Sequence, residues 1–341
     1  MTQQSRLGPE SSTPIRTVFV TGAAGYLGSV AVRRFLDAGL HVIGFDSLEF
    51  GSHGIDELLH QPRFRLVQGD IRRTEDWLDS LSVSDAVLHL AAVVGDPACA
   101  QQPDLATSVN VDASTRLLHE ARDNAVTQRF VFASTCSNYG RHPDFEYCDE
   151  SSDLRPISHY ANTKVEMERR TLAIDSTEGF VTTCLRFATA FGMSPRMRFD
   201  LTVNEFTREL AEGRSLEVYG SQFWRPYCHT QDIAKACLTV FQAEPYLVAN
   251  KAFNVGSTSN NHTKQHLIDM LLRFIPSAHV ALIKKHEDPR SYRVNCNRLT
   301  QVLGYTPEYT VEDGIKEILD ALNTGAFNGI PEQALRNSVA A

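Results

Sequence analysis

The sequence has few of the features that mark membrane, secreted or nucleic-acid-binding proteins. None of its 341 residues lies in an apolar run approaching a membrane span, and the N-terminus lacks the charged-then-apolar pattern of a secretory leader. Basic residues do not cluster and the net charge is −8, so nucleic acid and anionic membranes are not expected partners. The chain also lacks internal repeats and low-complexity tracts, which argues against a repeat architecture.

Cysteine is sparse and scattered. The seven cysteines are odd in number and include no Cys-x-x-Cys pair. They are Cys99, Cys136, Cys148, Cys184, Cys228, Cys237 and Cys296. This pattern predicts reduced thiols in a cytoplasmic protein, without a disulfide framework, a structural zinc or another metal site.

What the chain does have is an ordinary globular composition, 42% hydrophobic and 22% charged, with strands and helices in alternation. Short β-branched or apolar runs predict buried strands at 17–21, 41–45, 64–70, 86–92, 129–133 and 181–187. An amphipathic helix is expected over 29–38, ending at Gly39. The alternation predicts an α/β fold, a Rossmann-type doubly wound parallel sheet.

The alternation becomes irregular after residue 190, which predicts a smaller C-terminal α/β substrate lobe. Helices are expected at 201–212, 263–274 and 311–322, a strand at 216–219, and loops at 193–200 and 224–229. The expected organisation is a disordered N-terminus (1–14), a cofactor domain (15–190), the lobe (191–324) with some exchange of sheet and helix between the two, and a weakly ordered tail (325–341).

A glycine turn joins the first strand to the first helix. It reads Gly22-Ala23-Ala24-Gly25-Tyr26-Leu27-Gly28, and the second strand ends on Asp46. The order strand, glycine turn, helix, strand, acid is the dinucleotide-binding fingerprint. Backbone N–H groups of such a turn bind a pyrophosphate, and the acid holds the adenosine ribose hydroxyls. Asp46 would repel a 2′-phosphate and no arginine closely follows it, so NAD is favoured over NADP.

Tyr160 and Lys164 lie four residues apart, on one face of the predicted helix that begins near Tyr160. The lysine charge favours phenolate over phenol, so we expect the tyrosine pKa to fall toward working pH. Such a tyrosine takes a proton from a substrate hydroxyl while a cofactor takes the hydride. The pair alone is weak, because Tyr-x-x-x-Lys is frequent on exposed helices. Together with the dinucleotide fingerprint it predicts a hydride-transfer site.

These residues resemble the extended short-chain dehydrogenase/reductase family, in particular its NAD-dependent nucleotide-sugar epimerases and dehydratases. The matching motifs run from about residue 17 to 318, and their order and spacing are specific. They are Gly22-x-x-Gly25-x-x-Gly28, Asp46, Gly69-Asp70-Ile71, Leu90-Ala91-Ala92, Ser134-Thr135…Tyr139-Gly140, Tyr160-x-x-x-Lys164, Leu185-Arg186…Gly192 and Arg225-Pro226-x-x-His229-x-x-Asp232. The family implies bound NAD(P), a nucleoside-diphosphate sugar as substrate, and usually a homodimer built on a four-helix bundle.

The resemblance also implies roles for individual residues. Tyr160 is the base and acid, Lys164 tunes it, and the Thr135 hydroxyl binds the reacting sugar oxygen. Asn204 and Arg225 match positions that contact the nucleoside diphosphate, and Arg290, or alternatively Lys285, is a second diphosphate ligand. The expected NAD-binding set is Gly22, Gly25, Tyr26, Leu27, Gly28, Asp46, Asp70, Ile71, Leu90, Ala91, Ala92, Asn110, Ser134, Tyr160, Lys164 and Phe187, and the substrate set is Thr135, Cys136, Ser137, Thr189, Asn204, Arg225 and Arg290.

Departures from the family pattern narrow the reaction. The family's dehydratases carry an Asp-Glu pair after the Ser/Thr, where this chain has Cys136 and Ser137, neither of which is an acid suited to expelling water. Thr189 replaces a substrate-contacting asparagine. We interpret Cys136 as a packed thiol, with the alternative that it lines the sugar pocket. We interpret His159 as a loop histidine rather than a second proton carrier, and His89 as a core histidine.

Three hypotheses follow. The first is NAD-dependent 4-epimerisation of a nucleoside-diphosphate sugar through a transient 4-keto sugar. The second keeps the fold but assigns an NAD(P)H-dependent 4-ketoreductase, or another redox step on a nucleotide deoxysugar or heptose. The third is a non-catalytic NAD-binding regulator, against which the intact Thr135, Tyr160 and Lys164 argue. Arg196 and Arg198 could meet a diphosphate or a sugar carboxylate, which leaves a uronic acid substrate open.

Overall fold

The structure is a computed structural model that describes residues 14–143, 146–176, 179–283 and 290–337. The predicted disordered N-terminus, apart from Pro14, and the candidate ligand Lys285 lie outside the described residues. Within the described part of the chain, no helix is both long enough and apolar enough to span a membrane.

The strands follow one another along the described chain with helices between most of them. The strands are β1 (Thr17–Thr21), β2 (His41–Asp46), β3 (Phe64–Gln68), β4 (Ala86–His89), β5 (Arg129–Thr135), β6 (Tyr147–Cys148), β7 (Val181–Phe187), β8 (Thr189–Phe191), β9 (Leu216–Tyr219), β10 (Trp224–His229), β11 (Lys251–Val255), β12 (Asn261–Thr263), β13 (Val280–Ile283) and β14 (Arg293–Val294). The α-helices are α1 (Tyr26–Asp37), α2 (Leu78–Ser82), α3 (Asp96–Gln101), α4 (Pro103–Thr107), α5 (Ser114–Asp123), α6 (His159–Ala173), α7 (Thr202–Ala211), α8 (Thr230–Gln242), α9 (Pro245–Val248), α10 (Lys264–Phe274), α11 (Asn297–Leu303) and α12 (Val311–Asn323).

Seven parallel strands form the central sheet, in the order β11-β7-β5-β4-β1-β2-β3. Residues of β4, β5 and β7 are buried along their whole length, as expected for strands covered on both faces. The order reverses beside β1, and ligands bind to such sheets beyond the carboxyl ends of the strands at that reversal. The predicted α/β doubly wound sheet is confirmed.

The C-terminal half contributes both to this sheet and to a smaller lobe. Strand β11 pairs with β7 at the sheet edge, and helix α8 packs against α1. Helices α7, α10 and α12 surround a separate apolar cluster that includes Phe206, Leu271 and Ile315. Three short sheets, β12-β10-β8, β13-β9 and β14-β6, lie outside the central one.

Helix α1 begins at Tyr26 and not at the predicted residue 29, and β3 and β4 end at Gln68 and His89 and not at residues 70 and 92. Two further segments differ in kind from the sequence prediction. The expected loop at 224–229 is strand β10, because residues 224–226 pair with β12 and residues 227–229 pair with β8. The tail, predicted to be weakly ordered over 325–341, contains a buried side chain in its described part, since Leu335 is only 2% exposed and its carbonyl accepts a hydrogen bond from the Phe199 N–H at 2.8 Å. Both differences depend on partners distant in sequence, which local composition does not encode.

Candidate active site

A cavity of about 580 Å³ opens at the carboxyl ends of the central strands. It brings together most of the predicted site residues, from the glycine turn to the tyrosine–lysine pair. Those that line it are Gly22, Gly25, Tyr26, Leu27, Gly28, Asp46, Asp70, Ile71, Leu90, Ala91, Ala92, Ser134, Thr135, Ser137, Tyr160, Lys164, Phe187 and Thr189.

The glycine turn sits where β1 meets α1, and two of its glycines leave no room for a side chain. Gly22 has φ of 74°, and a Cβ there would lie 2.9 Å from the Ala91 nitrogen. A Cβ on Gly28 would lie 1.9 Å from the Gly22 carbonyl oxygen. Gly25 precedes the first residue of α1 and provides no side-chain cap, so the N-terminal N–H groups of α1 are open to an anion.

Asp46 ends β2 on the wall of the same cavity. Its two carboxylate oxygens accept hydrogen bonds from the Ala24 N–H and the Leu48 N–H, each at 2.9 Å. Burial raises the pKa of Asp46, and these two N–H donors oppose that shift. The carboxylate is thereby fixed in one orientation, with lone pairs left for ribose hydroxyls.

Helix α6 places the proton-transfer pair on the opposite wall. Ser158 caps the helix, its Oγ accepting from the Ala161 N–H at 3.2 Å. The Lys164 Nζ donates to the Ala133 carbonyl at 2.9 Å and lies 5.9 Å from the centre of the Tyr160 ring. Sheet and helix therefore hold the ammonium beside the phenol.

The ionisation of this pair differs from the sequence prediction. Burial raises the pKa of Tyr160, whereas the sequence predicted a fall toward working pH, and Lys164 is not among the principal influences on it. The Arg198 charge and a hydrogen bond with Thr135 act in the lowering direction. Burial also lowers the pKa of Lys164 to about 8. The predicted fall is wrong for this structure because removal from water outweighs the nearby cation.

Thr135 and Cys136, adjacent in sequence, point to different sides of the sheet end. The Thr135 Oγ1 lies on the cavity and accepts a hydrogen bond from the Ser137 N–H at 3.1 Å. The Cys136 Sγ points away, donating to the Arg186 carbonyl at 3.2 Å, and its residue is 1% exposed. Cys136 is therefore corrected from the substrate set to a packed thiol, because the chain turns at this residue from β5 into a short 3₁₀ helix, Cys136–Tyr139.

Several predicted ligands lie behind or beside the cavity rather than on its wall. The Asn110 amide forms two hydrogen bonds with the backbone of Val93. Its Oδ1 accepts from the Val93 N–H at 2.8 Å, and its Nδ2 donates to the Val93 carbonyl at 3.0 Å. Asn204 is fully buried, donating to the Tyr26 Oη at 3.0 Å and accepting from the Gly192 N–H at 3.0 Å. Both amides therefore hold neighbouring backbone and side-chain groups of the protein in place. The buried position of Asn204 does not fit direct contact with a substrate.

The two predicted diphosphate arginines lie near the cavity without lining its described wall. Arg225 donates to the Arg290 carbonyl at 2.6 Å, and its guanidinium lies 5.5 Å from the centre of the Tyr292 ring. Arg290 forms an ion pair with Asp96 of α3. Tyr292 itself is a cavity residue. Both arginines would therefore have to change partners or rotamer to reach a ligand.

His89 and His159, the two histidines considered in the sequence analysis, both contact polar protein groups. His89 lies between the Thr21 Oγ1 and the Ser114 Oγ, both at 2.7 Å, and burial lowers its pKa to about 3. The prediction of a satisfied core histidine is confirmed. His159, predicted to be a loop histidine, is the first residue of α6, and its Nε2 lies 3.1 Å from the Pro103 carbonyl oxygen.

Two groups of residues take positions at the site that the sequence did not predict, although Arg186 belongs to a family motif and Arg196 was named as a possible anion ligand. One is an ion pair behind Thr135, in which Arg186 Nη2 lies 2.6 Å from a Glu168 oxygen while the Ser134 Oγ donates to the same carboxylate at 2.6 Å. The spacing Tyr160, Lys164, Glu168 could have revealed it, because residues four apart share a helix face. The other is Arg196 with Asn337, which line the cavity together with Phe50. No local pattern signals them, since they are 141 positions apart.

Comparison with known proteins agrees with this geometry. A model of the NAD dependent epimerase/dehydratase family matches residues 18–256. A UDP-glucuronate 4-epimerase from Thermodesulfobacterium geofontis (strain OPF15) is 26% identical, with 88% of this chain and 94% of the relative covered. An uncharacterized UDP-glucose epimerase, YtcB, from Bacillus subtilis (strain 168) is 27% identical, covering 87% and 95%.

A solved structure shares the architecture as well. MoeE5 in complex with UDP-glucuronic acid and NAD superposes with a TM-score of 0.78 at 25% identity, covering 91% of this chain and 99% of that one. The glycine turn, the fixed Asp46 and the tyrosine–lysine pair all face one cavity at the carboxyl edge of a doubly wound sheet. With the family model spanning more than half of the sequence, the chain belongs to the NAD dependent epimerase/dehydratase family.

Proposed function

We propose that the protein is an NAD-dependent nucleoside-diphosphate-sugar epimerase that inverts C4 through a transient 4-keto sugar. The observation that carries this proposal is that Tyr160 and the glycine turn line one continuous cavity. Named relatives act on, or are solved with, UDP-sugars, and MoeE5 is solved with NAD. A nucleoside-diphosphate sugar is therefore the proposed substrate class.

The residues present fit the cofactor. The open N–H groups at the start of α1 suit a pyrophosphate, and Asp46 suits the ribose hydroxyls. Asp70 and Ile71, at the end of β3, suit the adenine, while Lys164 suits the ribose of the nicotinamide half. When bound, NAD supplies the acceptor for a hydride from the carbinol carbon and later its return.

The protein's own groups manage the proton. Tyr160 removes the proton of the substrate hydroxyl and gives it back after the sugar has turned over in its pocket. Burial disfavours the phenolate, so the two groups that lower the Tyr160 pKa, the Arg198 charge and the Thr135 hydrogen bond, would stabilise it when it forms. The Thr135 hydroxyl holds the sugar oxygen in line with Tyr160.

The cavity chemistry favours epimerisation over dehydration. Elimination of water needs a proton donor and a base beyond the tyrosine. Ser137 lines the cavity but has no acidic group, and Cys136 is turned away with its pKa raised by burial. The remaining base at the described wall next to Thr135 is Tyr160, which suffices for oxidation and re-reduction at one carbon.

The proposal is tested by assaying the purified protein. Bound NAD should be released on acid denaturation, and a panel of UDP-, GDP-, ADP-, CDP- and dTDP-sugars, neutral and uronic, should give a C4 epimer by NMR for at least one. The variant Tyr160→Phe should lose several orders of magnitude in kcat, while Tyr246→Phe, on the surface with 53% exposure, should not. Net consumption of NADPH with no epimer formed would instead assign a 4-ketoreductase.

We also propose a cytoplasmic homodimer. All seven cysteines are buried free thiols, which supports a reducing compartment. In the family the dimer is a four-helix bundle, and the outward residues of α5 and α6 are polar here: Arg116, His119, Glu120, Asn162, Arg169 and Arg170. A polar interface of mixed charge should weaken with salt. Light scattering at about 0.05 M and 0.5 M NaCl would show a dimer that dissociates, whereas a monomer at both would rule it out.

A further inference from the structure

We propose that Arg196 and Asn337 are cofactor-binding residues that slow the dissociation of NAD. Together with Phe50 they form a wall over the adenosine half of the cavity, in addition to the walls that carry Asp46 and helix α6. The inference rests on the proposed use of NAD, and it adds residues of the second lobe and the C-terminal segment to a site otherwise built from the central sheet.

The position of Arg196 on the cavity is the first observation. It lines the cavity on the side of Asp46, and its guanidinium carbon lies 4.6 Å from the centre of the Phe50 ring. The segment after β2 approaches it so closely that a Cβ on Gly54 would lie 2.7 Å from the Arg196 Cβ. Asp46 is among the charges that act on Arg196. Arg196 therefore belongs to the ribose end of the cavity and not to the sugar end.

The incomplete hydrogen bonding of Arg196 is the second observation. The residue is 1% exposed, and it donates from Nη1 to the Asn337 Oδ1 at 2.5 Å and from Nη2 to the Arg336 carbonyl at 2.9 Å. Its Nε is buried and has no acceptor among the described residues. A buried donor without an acceptor is costly. Because the Nε is shielded from the cavity, an oxygen of a bound ligand would satisfy it only after a shift of the Arg196 side chain.

The C-terminal segment, residues 327–337, is fixed where it reaches the cavity. The Leu335 side chain packs with Tyr26, Phe199 and Ile318, and its carbonyl accepts from the Phe199 N–H at 2.8 Å. Glu332 pairs with Arg208 of α7 at 2.9 Å. Asn337 is consequently held on the wall beside Arg196 by packing that does not involve the cofactor.

Slow dissociation of the cofactor is compatible with epimerisation. The hydride that leaves the sugar returns to it, so the cofactor ends each cycle in its starting state and need not be exchanged. A reductase must exchange its cofactor on every turnover, and a closed adenosine site would slow it. Arg198, and not Arg196, is among the charges that act on Tyr160. Loss of Arg196 should therefore change cofactor retention far more than proton transfer.

The test compares the variants Arg196→Gln and Asn337→Ala with the wild-type protein. The matched control is Arg214→Gln, because Arg214 is a surface arginine that pairs with Glu209 at 2.5 Å. Circular dichroism and thermal unfolding establish that each variant is folded. NAD bound per chain is measured after desalting, and the NAD dissociation rate is measured by chasing with excess labelled NAD. We expect at least a tenfold faster dissociation for Arg196→Gln, a smaller increase for Asn337→Ala, and a wild-type rate for Arg214→Gln.

Two results would overturn the proposal. One is a folded Arg196→Gln protein whose NAD dissociation rate equals that of wild type. The other, which applies if Arg196→Gln does not fold, is an unchanged rate for Asn337→Ala. A wild-type protein that binds NAD but epimerises no sugar would refute the proposed function while leaving this comparison intact, so the two failures are distinguishable.

Discussion

Glu168 and Arg186 form a buried ion pair directly behind the cavity, with side chains 2% and 6% exposed and an N–O distance of 2.6 Å. Glu168 lies on α6 two turns beyond Tyr160, and Arg186 lies on β7. The same carboxylate accepts the Ser134 hydroxyl. One acid thus ties the helix that carries the tyrosine and lysine to the strand end that carries Thr135.

Replacing Glu168 with alanine should therefore reduce both stability and activity. It leaves the Arg186 guanidinium buried without its counter-charge, which costs about 3–5 kcal/mol of unfolding free energy. Denaturant unfolding measures this loss, and kcat should fall with it because Thr135 and Tyr160 lose their common anchor. Glu166→Gln on the same helix, at an ion pair 41% and 43% exposed, should cost less than about 1 kcal/mol. Equal effects at the two positions would contradict the anchoring role.

The role of the Thr135 hydroxyl can be tested with one variant that removes the hydroxyl and one that keeps it. Thr135→Val keeps the volume but removes the hydroxyl that hydrogen-bonds Tyr160 and that we propose binds the sugar oxygen, and we expect kcat to fall by about 100-fold or more. Thr135→Ser keeps the hydroxyl and should retain most of the activity. NAD binding by calorimetry should be similar in both. Equal activity of the valine and serine variants would remove Thr135 from the proton-transfer site.

Lys164 should produce a measurable pH dependence of stability. Its pKa falls from 10.5 to about 8 on folding, so the unfolded chain binds the extra proton between these values. Burying the charge destabilises the fold fully below pH 8, and this penalty is relieved as pH rises toward 10.5. Relative to Lys164→Met, wild type should therefore gain stability between pH 8 and about pH 10. The other titrating groups are shared by both proteins, but the Cys99 thiol loses in Lys164→Met the nearby charge that lowers its pKa, so the difference reports Lys164 together with Cys99.

The measurement is the unfolding free energy of both proteins at several pH values from about 7 to 10, on cofactor-free samples. Lys164→Met should be the more stable protein at pH 7 and have little activity, since it removes a buried charge that serves the site. A difference that stays constant with pH would show that Lys164 is not titrating in this range.

Cys136 and Ser137 give a paired test of which side chain faces the sugar. Ser137 lines the cavity, so Ser137→Ala should raise KM for the sugar nucleotide by removing a hydrogen-bonding group. Cys136 points to the Arg186 carbonyl, so Cys136→Ala should leave kcat and KM within about twofold and cost about 1 kcal/mol of stability, the scale of a small buried group. A large rise in KM for Cys136→Ala alone would return the thiol to the sugar pocket.

Local sequence determined the elements of the cofactor site. The strand limits 17–21 and 181–187 agree with the structure, and so does the glycine turn, because β-branched runs and glycine conformations are properties of a few adjacent residues. The tyrosine–lysine pair was found for the same reason, since the helical repeat places residues four apart side by side.

Only the tertiary structure decided which distant groups share an environment. Arg196 reaches the ribose end of the cavity from the second lobe, residues 224–229 become a strand through two long-range pairings, and Asn204 turns inward as a brace. The pKa of Tyr160 depends on how much water the folded chain removes from it. Burial and pairing between segments that are far apart in the sequence are set by the packing of the whole chain, so no local motif contains them.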